Sequence, residues 1–185
     1  MSFIIRNIEL SDMPQLSKFI CGNMSMEGFL KNEAYIHHIS GEGITKVVLE
    51  EETDQIIAYY TLKSDAVKII DEEMHLIPRY IPCIEIARIA VLLHWQNGSK
   101  DIHLGTHLVG QIIGFIKDVI ASQVGCRFIT IHAVRDKVLW YKKEFAFEEL
   151  EDKKYGDDEE TTYMCLDLFD KSLLDKYVKY SKGIL

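Results

Sequence analysis

The feature that most constrains the fold is the run from Cys83 to Leu93, CIEIARIAVLL, in which only Glu85 and Arg88 are charged. A strand with one face in water alternates apolar and polar residues, whereas a nearly continuous apolar run is typical of a strand covered on both faces. The sequence therefore predicts a central strand with helices packed on both sides of its sheet.

A second buried strand follows after one helix. The segment from His103 to Ser122 is predicted to be an amphipathic helix, and Arg127 to Ala133, RFITIHA, is again strand-like. Strand, helix and strand within about 50 residues form a βαβ unit, whose two strands are parallel with a right-handed crossover. The inward stripe predicted for this helix is Leu104, Leu108, Ile112, Phe115 and Val119.

The remaining elements predict an α/β domain with a mixed sheet of about six or seven strands, antiparallel at both ends. Residues 1–168 would form this domain, and residues 169–185 a C-terminal helical tail. The predicted elements are a strand at Phe3–Ile8, a helix capped by Ser11 and Asp12 that presents Leu16, Phe19 and Ile20, a helix at Phe29–Ile39, a hairpin of Thr45–Glu51 with Ile56–Leu62, a loop at Pro78–Pro82, a short helix at Asp136–Glu144, and a closing pair of Phe145–Leu150 with Thr161–Leu168.

Charge and cysteine content narrow the class of protein. The 21 basic and 29 acidic residues give a net charge of −8, which argues against general binding to nucleic acid or to anionic membranes. The four cysteines are far apart, as expected for reduced thiols in a cytosolic protein rather than a zinc or redox motif. The most apolar stretch, Ile102 to Ile120, contains too many polar residues to span a membrane. A cytoplasmic location is therefore predicted.

Two charges inside the central strand are the first candidates for chemistry. Alternation along a regular strand predicts that Glu85 shares a face with Ala87, Ile89 and Val91, and that Arg88 points to the opposite face. Burying an unpaired charge is costly, so each side chain needs either a partner or a task.

The junction between this strand and the next helix is a candidate phosphate site. Gly98 and Gly105 allow a ligand to approach the backbone, and the N-terminus of a helix offers unpaired N–H groups and a positive dipole end. Glycine in such a loop does not identify a ligand by itself.

The order of these motifs resembles the GNAT superfamily of acyl-CoA N-acyltransferases, over roughly Ile4 to Leu168. The segments that carry the resemblance are IAYYTLK, EIARIAV, LGTHLV, FITIHAV and LWYKKEFAF. The resemblance implies a GNAT-like fold in which the two parallel strands splay and the pantetheine arm of acetyl-CoA lies in the gap.

The same resemblance implies roles for individual residues. The main chain of Ile89 and Val91, with Ala90 between them, would pair with pantetheine, and Gln96, His103 and the amides of Leu104, Gly105 and Thr106 would hold the diphosphate. Glu85 would be a general base, and Tyr141 would protonate the departing thiolate. The alternative for Tyr141 is a purely structural aromatic beside Trp140.

The sequence departs from the family pattern at two places. The loop from Gln96 to Gly105 is about four residues longer than usual, and His103 stands where the first motif glycine is expected. Ala146 replaces the glycine that usually ends the segment after the tyrosine. The diphosphate site is therefore expected to be altered.

The chemistry expected of these groups can be stated independently of the family. An alkylammonium acceptor with a pKa near 10.4 must lose a proton before it attacks a thioester, and Glu85 could accept that proton through a water. A backbone N–H near Ile89 could stabilise the oxyanion, and the phenol of Tyr141 could return a proton to the thiolate.

Other polar groups have simpler interpretations. His103 and His107 have the spacing of a zinc pair but no third ligand, so no metal site is predicted. The segment Glu151–Glu160 is either a solvated hairpin tip or an acidic rim that favours a cationic amine.

The leading hypothesis is an acetyl-CoA-dependent N-acetyltransferase that acts on a primary amine of a small molecule, peptide or protein in a ternary complex. One alternative is a GNAT toxin that acetylates aminoacyl-tRNA, against which the net charge of −8 argues; otherwise nucleic acid is not expected as a partner. Another is a non-catalytic acyl-CoA sensor or partner-binding domain. A homodimer is left open. Both enzymatic hypotheses require a wedge-shaped opening between Cys83–Leu93 and Arg127–Ala133.

Overall fold

A computed structural model describes residues 2–70, 78–96, 98, 102–150 and 161–172. Within these residues the chain forms seven strands and five α-helices. The strands are β1 (Phe3–Asn7), β2 (Ile44–Glu50), β3 (Gln55–Ile70), β4 (Pro78–Val91), β5 (Phe128–Val134), β6 (Glu148–Glu149) and β7 (Thr161–Asp167). The helices are α1 (Met13–Leu16), α2 (Met24–Asn32), α3 (Ala34–Ser40), α4 (Leu104–Phe115) and α5 (Val138–Phe145).

All seven strands belong to one mixed sheet in the order β1-β2-β3-β4-β5-β7-β6. Every neighbouring pair is antiparallel except β4 and β5, which are parallel and are connected through α4. The predicted fold class is therefore confirmed, including the single parallel pair inside an otherwise antiparallel sheet.

Helices cover both faces of the sheet, as two consecutive residues of β3 demonstrate. Tyr59 and Tyr60 point to opposite faces because side chains alternate along a strand. Tyr59 packs against Phe19 and Phe29, on the side of α2, with ring centroids 5.7 and 6.4 Å away. Tyr60 lines a groove together with Leu108 of α4 on the other side. Both tyrosines are buried, so the centre of the sheet is covered on both of its faces.

The parallel pair separates after three residues. Cys83, Ile84 and Glu85 of β4 lie opposite Phe128, Ile129 and Thr130 of β5, and no further β4–β5 pair follows among the described residues. Beyond this fork β4 stays paired with β3 as far as Val91, while β5 stays paired with β7 as far as Val134. The predicted wedge between the two strands is therefore present.

A β-bulge lies in β4 immediately after the fork. Leu62 of β3 is opposite Ile86 and Thr61 is opposite Arg88, so Ala87 is an extra residue without its own partner. A bulge bends its strand and increases the local twist. We infer that this bulge turns β4 away from β5 at the point where the two strands separate.

The bulge also corrects the predicted faces of the two charged residues. Residues opposite one another in an antiparallel pair share a face. Glu85 lies opposite Lys63 and Arg88 lies opposite Thr61, and these two β3 residues are two apart. Glu85 and Arg88 therefore share one face, and the prediction that Arg88 points away from it was wrong because the count of alternation took no account of an inserted residue.

The predicted loop at Pro78–Pro82 is wrong as well. These residues form the beginning of β4 and pair with β3 from Ala66 to Ile70. This part of β4 precedes its pairing with β5, so one of its edges faces no strand among the described residues. Proline is tolerated in such an edge because its missing N–H can lie on the unpaired side.

Helix α4 is shorter than predicted and continues as a π-helical turn over Ile116–Ile120. The buried residues recur at intervals of four, so Ile116 follows Leu104, Leu108 and Ile112 in the core. Val119, which was predicted to face inward, is 49% exposed. The wider π turn explains the correction, because it shifts the apolar stripe relative to regular α-helical spacing.

The predicted helices before β2 are also shorter. The helix after Asp12 is a single turn, and Ile20 is exposed although Leu16 and Phe19 are buried. The segment predicted as one helix over Phe29–Ile39 is divided between α2 and α3 at Glu33. The acidic segment 151–160 and residues 173–185 of the predicted tail lie outside the described residues.

Ala146 ends α5 in a conformation that favours glycine. Its φ of 59° is left-handed, and its amide and that of Phe147 donate to the carbonyls of Lys142 and Tyr141. A Cβ atom in this region is strained by about 1–2 kcal/mol, part of which glycine's larger loss of backbone entropy offsets.

We therefore expect Ala146→Gly to raise the free energy of unfolding by about 0.5–1 kcal/mol, measured by urea denaturation. Ala121→Gly is the matched control because Ala121 has an ordinary φ of −66°. It should give no gain, and equal gains in both variants would contradict the strain at Ala146.

Candidate active site

A cleft of about 640 Å³ opens at the fork between β4 and β5. Its walls are the separated halves of these two strands, the beginning of α4, the beginning of α5 and the chain around Gly22 and Asn23. The wedge is thus an accessible cavity between the two strands.

The open edge of β4 is directed into this cleft. The amide of Leu92 donates to the carbonyl of Ile57 in the strand on the other side, at 2.8 Å. Backbone groups alternate between the two edges of a strand, so Ala90 is directed toward β3 while Ile89 and Val91 are directed toward the opening. The main chain of Ile89 and Val91 is therefore directed toward the opening, and its pairing with pantetheine remains a prediction.

Gln96 forms hydrogen bonds that hold the chain after β4 beside this edge. Its side-chain amide nitrogen donates to the carbonyls of Cys21 and Val91, at 2.8 and 2.7 Å. Gln96 lines the cleft as predicted, but these two donors are engaged by the protein's own backbone. Its contact with a cosubstrate remains a prediction.

The N-terminus of α4 faces the same cleft. The first backbone bond of this helix runs from His107 N to His103 O, so the amides of Leu104, Gly105 and Thr106 have no acceptor within the helix. His103 precedes the helix and is exposed. These three amides, together with the helix dipole, form a site suited to a diphosphate.

Gly98 brings the lengthened loop close to His103. Its φ is +73°, and a Cβ atom at this position would lie 3.0 Å from Cε1 of His103. A larger residue would therefore require both an unfavourable backbone conformation and movement of the imidazole.

Tyr141 lies on α5 at the wall of the cleft and is 5% exposed. Trp140 and Phe147 contact its ring edge to face, with centroids 4.7 and 5.6 Å away. Burial raises the pKa of the Tyr141 phenol. Its hydroxyl therefore remains protonated through the neutral pH range, as a proton donor must.

Glu85 is placed differently from the other predicted residues. Its carboxylate is buried and pairs with Lys63, with Oε2 and Nζ 2.9 Å apart. It lies at the last β4–β5 pair, immediately before the strands separate. The predicted site residues that line the cleft are Ile89, Ala90, Val91, Gln96, His103, Leu104, Gly105, Thr106 and Tyr141, and Glu85 is outside this set.

Sequence reasoning did not assign other parts of the cleft. Arg88, Asp136 and Lys137 line the cleft. The sequence identifies Arg88 as a charge in an apolar strand but predicts no function for it, and it places Asp136 and Lys137 only in a short helix. The segment from Cys21 to Met26 reaches the cleft through the fold alone. Its only local pattern is Asn23, whose side chain accepts from the amide of Met26 and caps α2.

The described lining of the cleft is not acidic. Its formally charged side chains are Arg88, Lys137 and Asp136, and the last two form an ion pair 3.1 Å apart. Among the described residues no group of three His, Cys, Asp or Glu side chains could hold a metal ion. In the part of the chain that is described, no helix is long and apolar enough to cross a membrane.

Comparisons with known proteins agree with this architecture. No protein-family model matches the sequence. A tRNA-acetylating toxin of Mycobacterium tuberculosis (strain ATCC 25618 / H37Rv) is 27% identical over 142 residues, which cover 75% of this chain and 81% of that protein.

Solved structures of toxins share the fold. The crystal structure of AtaTR bound with acetyl-CoA has a TM-score of 0.71 and 18% identity, covering 95% of this chain and 98% of that one. AtaT complexed with acetyl-methionyl-tRNAfMet has a TM-score of 0.67 and 18% identity, covering 96% and 99%.

The fold implied by the predicted resemblance is therefore confirmed, and the chain is also similar in sequence to a tRNA-acetylating toxin. Acetyl-CoA, the predicted acyl donor, is bound in one of these solved structures of the same fold. The predicted site residues, domain boundary, cytoplasmic location and homodimer remain predictions.

Proposed function

We propose that this protein transfers the acetyl group of acetyl-CoA to the α-amino group of an aminoacyl-tRNA. The observation that carries the proposal is the likeness, over three quarters of the chain, to a toxin that acetylates tRNA. Two properties of the cleft support an α-amine on an anionic carrier over the broader class of primary amines.

The first property is the position of Glu85. An α-amine has a pKa of about 7.7–8.0, so about a third of it is neutral at pH 7.5, whereas only about one lysine-like amine in a thousand is neutral there. An α-amine therefore needs little help from a buried base. This agrees with a cleft that Glu85 does not line and whose described carboxylate, Asp136, is paired with Lys137.

The second property is the distribution of charge. The segment Glu151–Glu160 contains six acidic and two basic residues and so carries half of the net charge of −8. Electrostatic attraction to phosphate depends on the charges within about 8 Å rather than on the net charge of the whole chain, because salt screens exposed charges beyond that distance. Exposed basic residues flank α5, the helix that carries Tyr141. Arg135 and Lys137 precede the helix, and Lys142 and Lys143 lie in its last turn. Lys137 and Lys142 are paired with Asp136 and Glu149, so Arg135 and Lys143 are the stronger candidates for phosphate contacts.

The residues of the cleft suggest a division of roles. The amides of Leu104, Gly105 and Thr106 would hold the diphosphate, and the open edge of β4 at Ile89 and Val91 would hold the thioester arm. When the amine attacks, an N–C bond forms and the thioester C–S bond breaks. A backbone N–H at this edge would stabilise the oxyanion, and Tyr141 would donate a proton to the thiolate and regain one from the amine.

The direct test uses total tRNA charged with amino acids, together with labelled acetyl-CoA. We expect label on charged tRNA only, and the N-acetylated amino acid after mild alkaline release of the ester, detected by mass spectrometry. Uncharged tRNA is the control. A panel of polyamines, lysine peptides and small amines is assayed in parallel by thiol release.

Free α-amines on every charged tRNA would contradict the proposal. If amines of the panel were acetylated instead, the broader hypothesis of a small-molecule or protein acetyltransferase would replace it.

A further inference from the structure

We propose that Arg88 determines the acceptor by donating hydrogen bonds to the carbonyl oxygen adjacent to the reacting α-amine. The inference rests on the proposed function, since it names the group of the acceptor that the cleft recognises. The ligand chemistry is a carboxyl-derived oxygen, carried either by an aminoacyl ester or by a free amino acid.

The guanidinium of Arg88 is fixed within the cleft by two contacts. Its Nη1 donates to the carbonyl of Ala87 at 2.8 Å, and its Cζ lies 5.2 Å from the centroid of the Phe29 ring. The ring of Phe29 packs on Tyr59, whose hydroxyl donates to the carbonyl of Met26. Arg88 is therefore supported on one side by a rigid aromatic pair.

The other donors of Arg88 are not used within the described protein. Its Nε is buried and has no hydrogen-bond partner there, and no carboxylate among the described residues forms an ion pair with it. The nearby acid Glu27 is committed, because it accepts from the amides of Cys21 and Gly22. A buried donor without an acceptor is costly, and Arg88 lines the cleft, so a ligand oxygen that reaches its guanidinium would gain binding energy.

The position of Arg88 relates this donor to the reacting amine. Arg88 precedes Ile89, whose main chain is directed toward the opening, and the bulge at Ala87 places the Arg88 side chain on the face of Tyr59 and α2. A guanidinium at this place repels a cationic side chain such as a second ammonium group. It favours an acceptor whose amine lies one carbon from a carbonyl, which describes an α-aminoacyl group.

The test compares two bisubstrate conjugates in which the sulfur of CoA is joined through a CH2–CO group to an amine. One conjugate carries methionine methyl ester, and the other carries 3-(methylthio)propylamine, which is the same amine without the ester. We expect calorimetry to show that the wild-type protein binds the ester conjugate about 10- to 100-fold more tightly, the range for a hydrogen bond to a charged group.

Arg88→Met should reduce this ratio to within about threefold, and Arg88→Lys, which retains the charge but not the planar donor fork, should give an intermediate ratio. Arg79→Met is the matched control, because Arg79 is an exposed residue of the same strand outside the cleft, and it should keep the wild-type ratio. A conjugate of free methionine separates recognition of a carboxylate from recognition of an ester.

A wild-type ratio near one, or an unchanged ratio in folded Arg88→Met, would overturn the inference. If Arg88→Met does not fold, the comparison uses wild type and Arg88→Lys. A lower ratio in Arg88→Lys would then support the inference, and an unchanged ratio would overturn it. An Arg88-dependent ratio without acetylation of any charged tRNA would uphold the inference and reject the proposed function. Failure of both conjugates to bind would reject both the inference about Arg88 and the proposed function.

Discussion

Tyr141→Phe is expected to lower kcat by about 10²- to 10³-fold while the Kd of acetyl-CoA stays within about twofold. Loss of a positioned proton donor removes general acid catalysis, which is typically worth two to four orders of magnitude. Phenylalanine keeps the edge-to-face contacts with Trp140 and Phe147, so the wall of the cleft should not collapse. The measurements are steady-state kinetics with charged tRNA and calorimetry with acetyl-CoA.

Tyr80→Phe is the matched control, because Tyr80 is an exposed tyrosine of β4 that does not line the cleft. It should retain wild-type kcat. Burial raises the pKa of Tyr141, so initial wild-type rates should not fall between pH 7 and about 8.5, a range in which the phenol keeps its proton and the ester of charged tRNA survives the assay. Wild-type kcat in Tyr141→Phe would eliminate its role as the acid and leave a structural aromatic.

Gly105→Pro is expected to raise the Kd of acetyl-CoA by about 10- to 100-fold. The substitution removes one of the three amides at the start of α4 that lack an acceptor within the helix. Gly105 is the second residue of α4, where loss of the N–H breaks no hydrogen bond within the helix, so the fold should survive. A hydrogen bond to a charged group is worth about 1.5–3 kcal/mol, which corresponds to the expected loss in affinity.

Gly105→Ala provides the matched control, because it keeps the amide and its Cβ would meet no atom within 4 Å. Calorimetry should therefore show a smaller loss of affinity for acetyl-CoA than in Gly105→Pro, because the amide remains and only a methyl group is added on the side of the ligand. Equal affinities in the proline and alanine variants, with both shown to be folded by circular dichroism, would mean that the diphosphate is held elsewhere.

The arrangement of the sheet could be predicted because short sequence patterns determine which strands are buried and how they are connected. The apolar run at Cys83–Leu93 and the helix before Arg127–Ala133 together fix a buried parallel pair. The beginning of β4 could not be predicted, because prolines at Pro78 and Pro82 indicate a loop unless the strand is known to have an unpaired edge. Whether such an edge exists depends on where β5 begins to pair.

The position of the predicted site residues agrees with the structure where the backbone defines it and less well where side-chain partners decide, and their binding of acetyl-CoA remains a prediction. The open edge at Ile89 and Val91 and the amides of α4 follow from strand and helix geometry. The ion pair between Lys63 and Glu85 depends on the register of two strands, which the sequence does not specify. The single inserted residue at Ala87 likewise determines which face Arg88 occupies.

The central claim is that the fork between β4 and β5 binds acetyl-CoA, and backbone amide NMR during a titration with acetyl-CoA tests it most directly. The account predicts saturable binding of one molecule per chain, with the largest shifts at the amides of Ile89, Val91, Leu104, Gly105 and Thr106. Absence of binding at millimolar acetyl-CoA, or saturation that leaves these five amides unshifted, would contradict it.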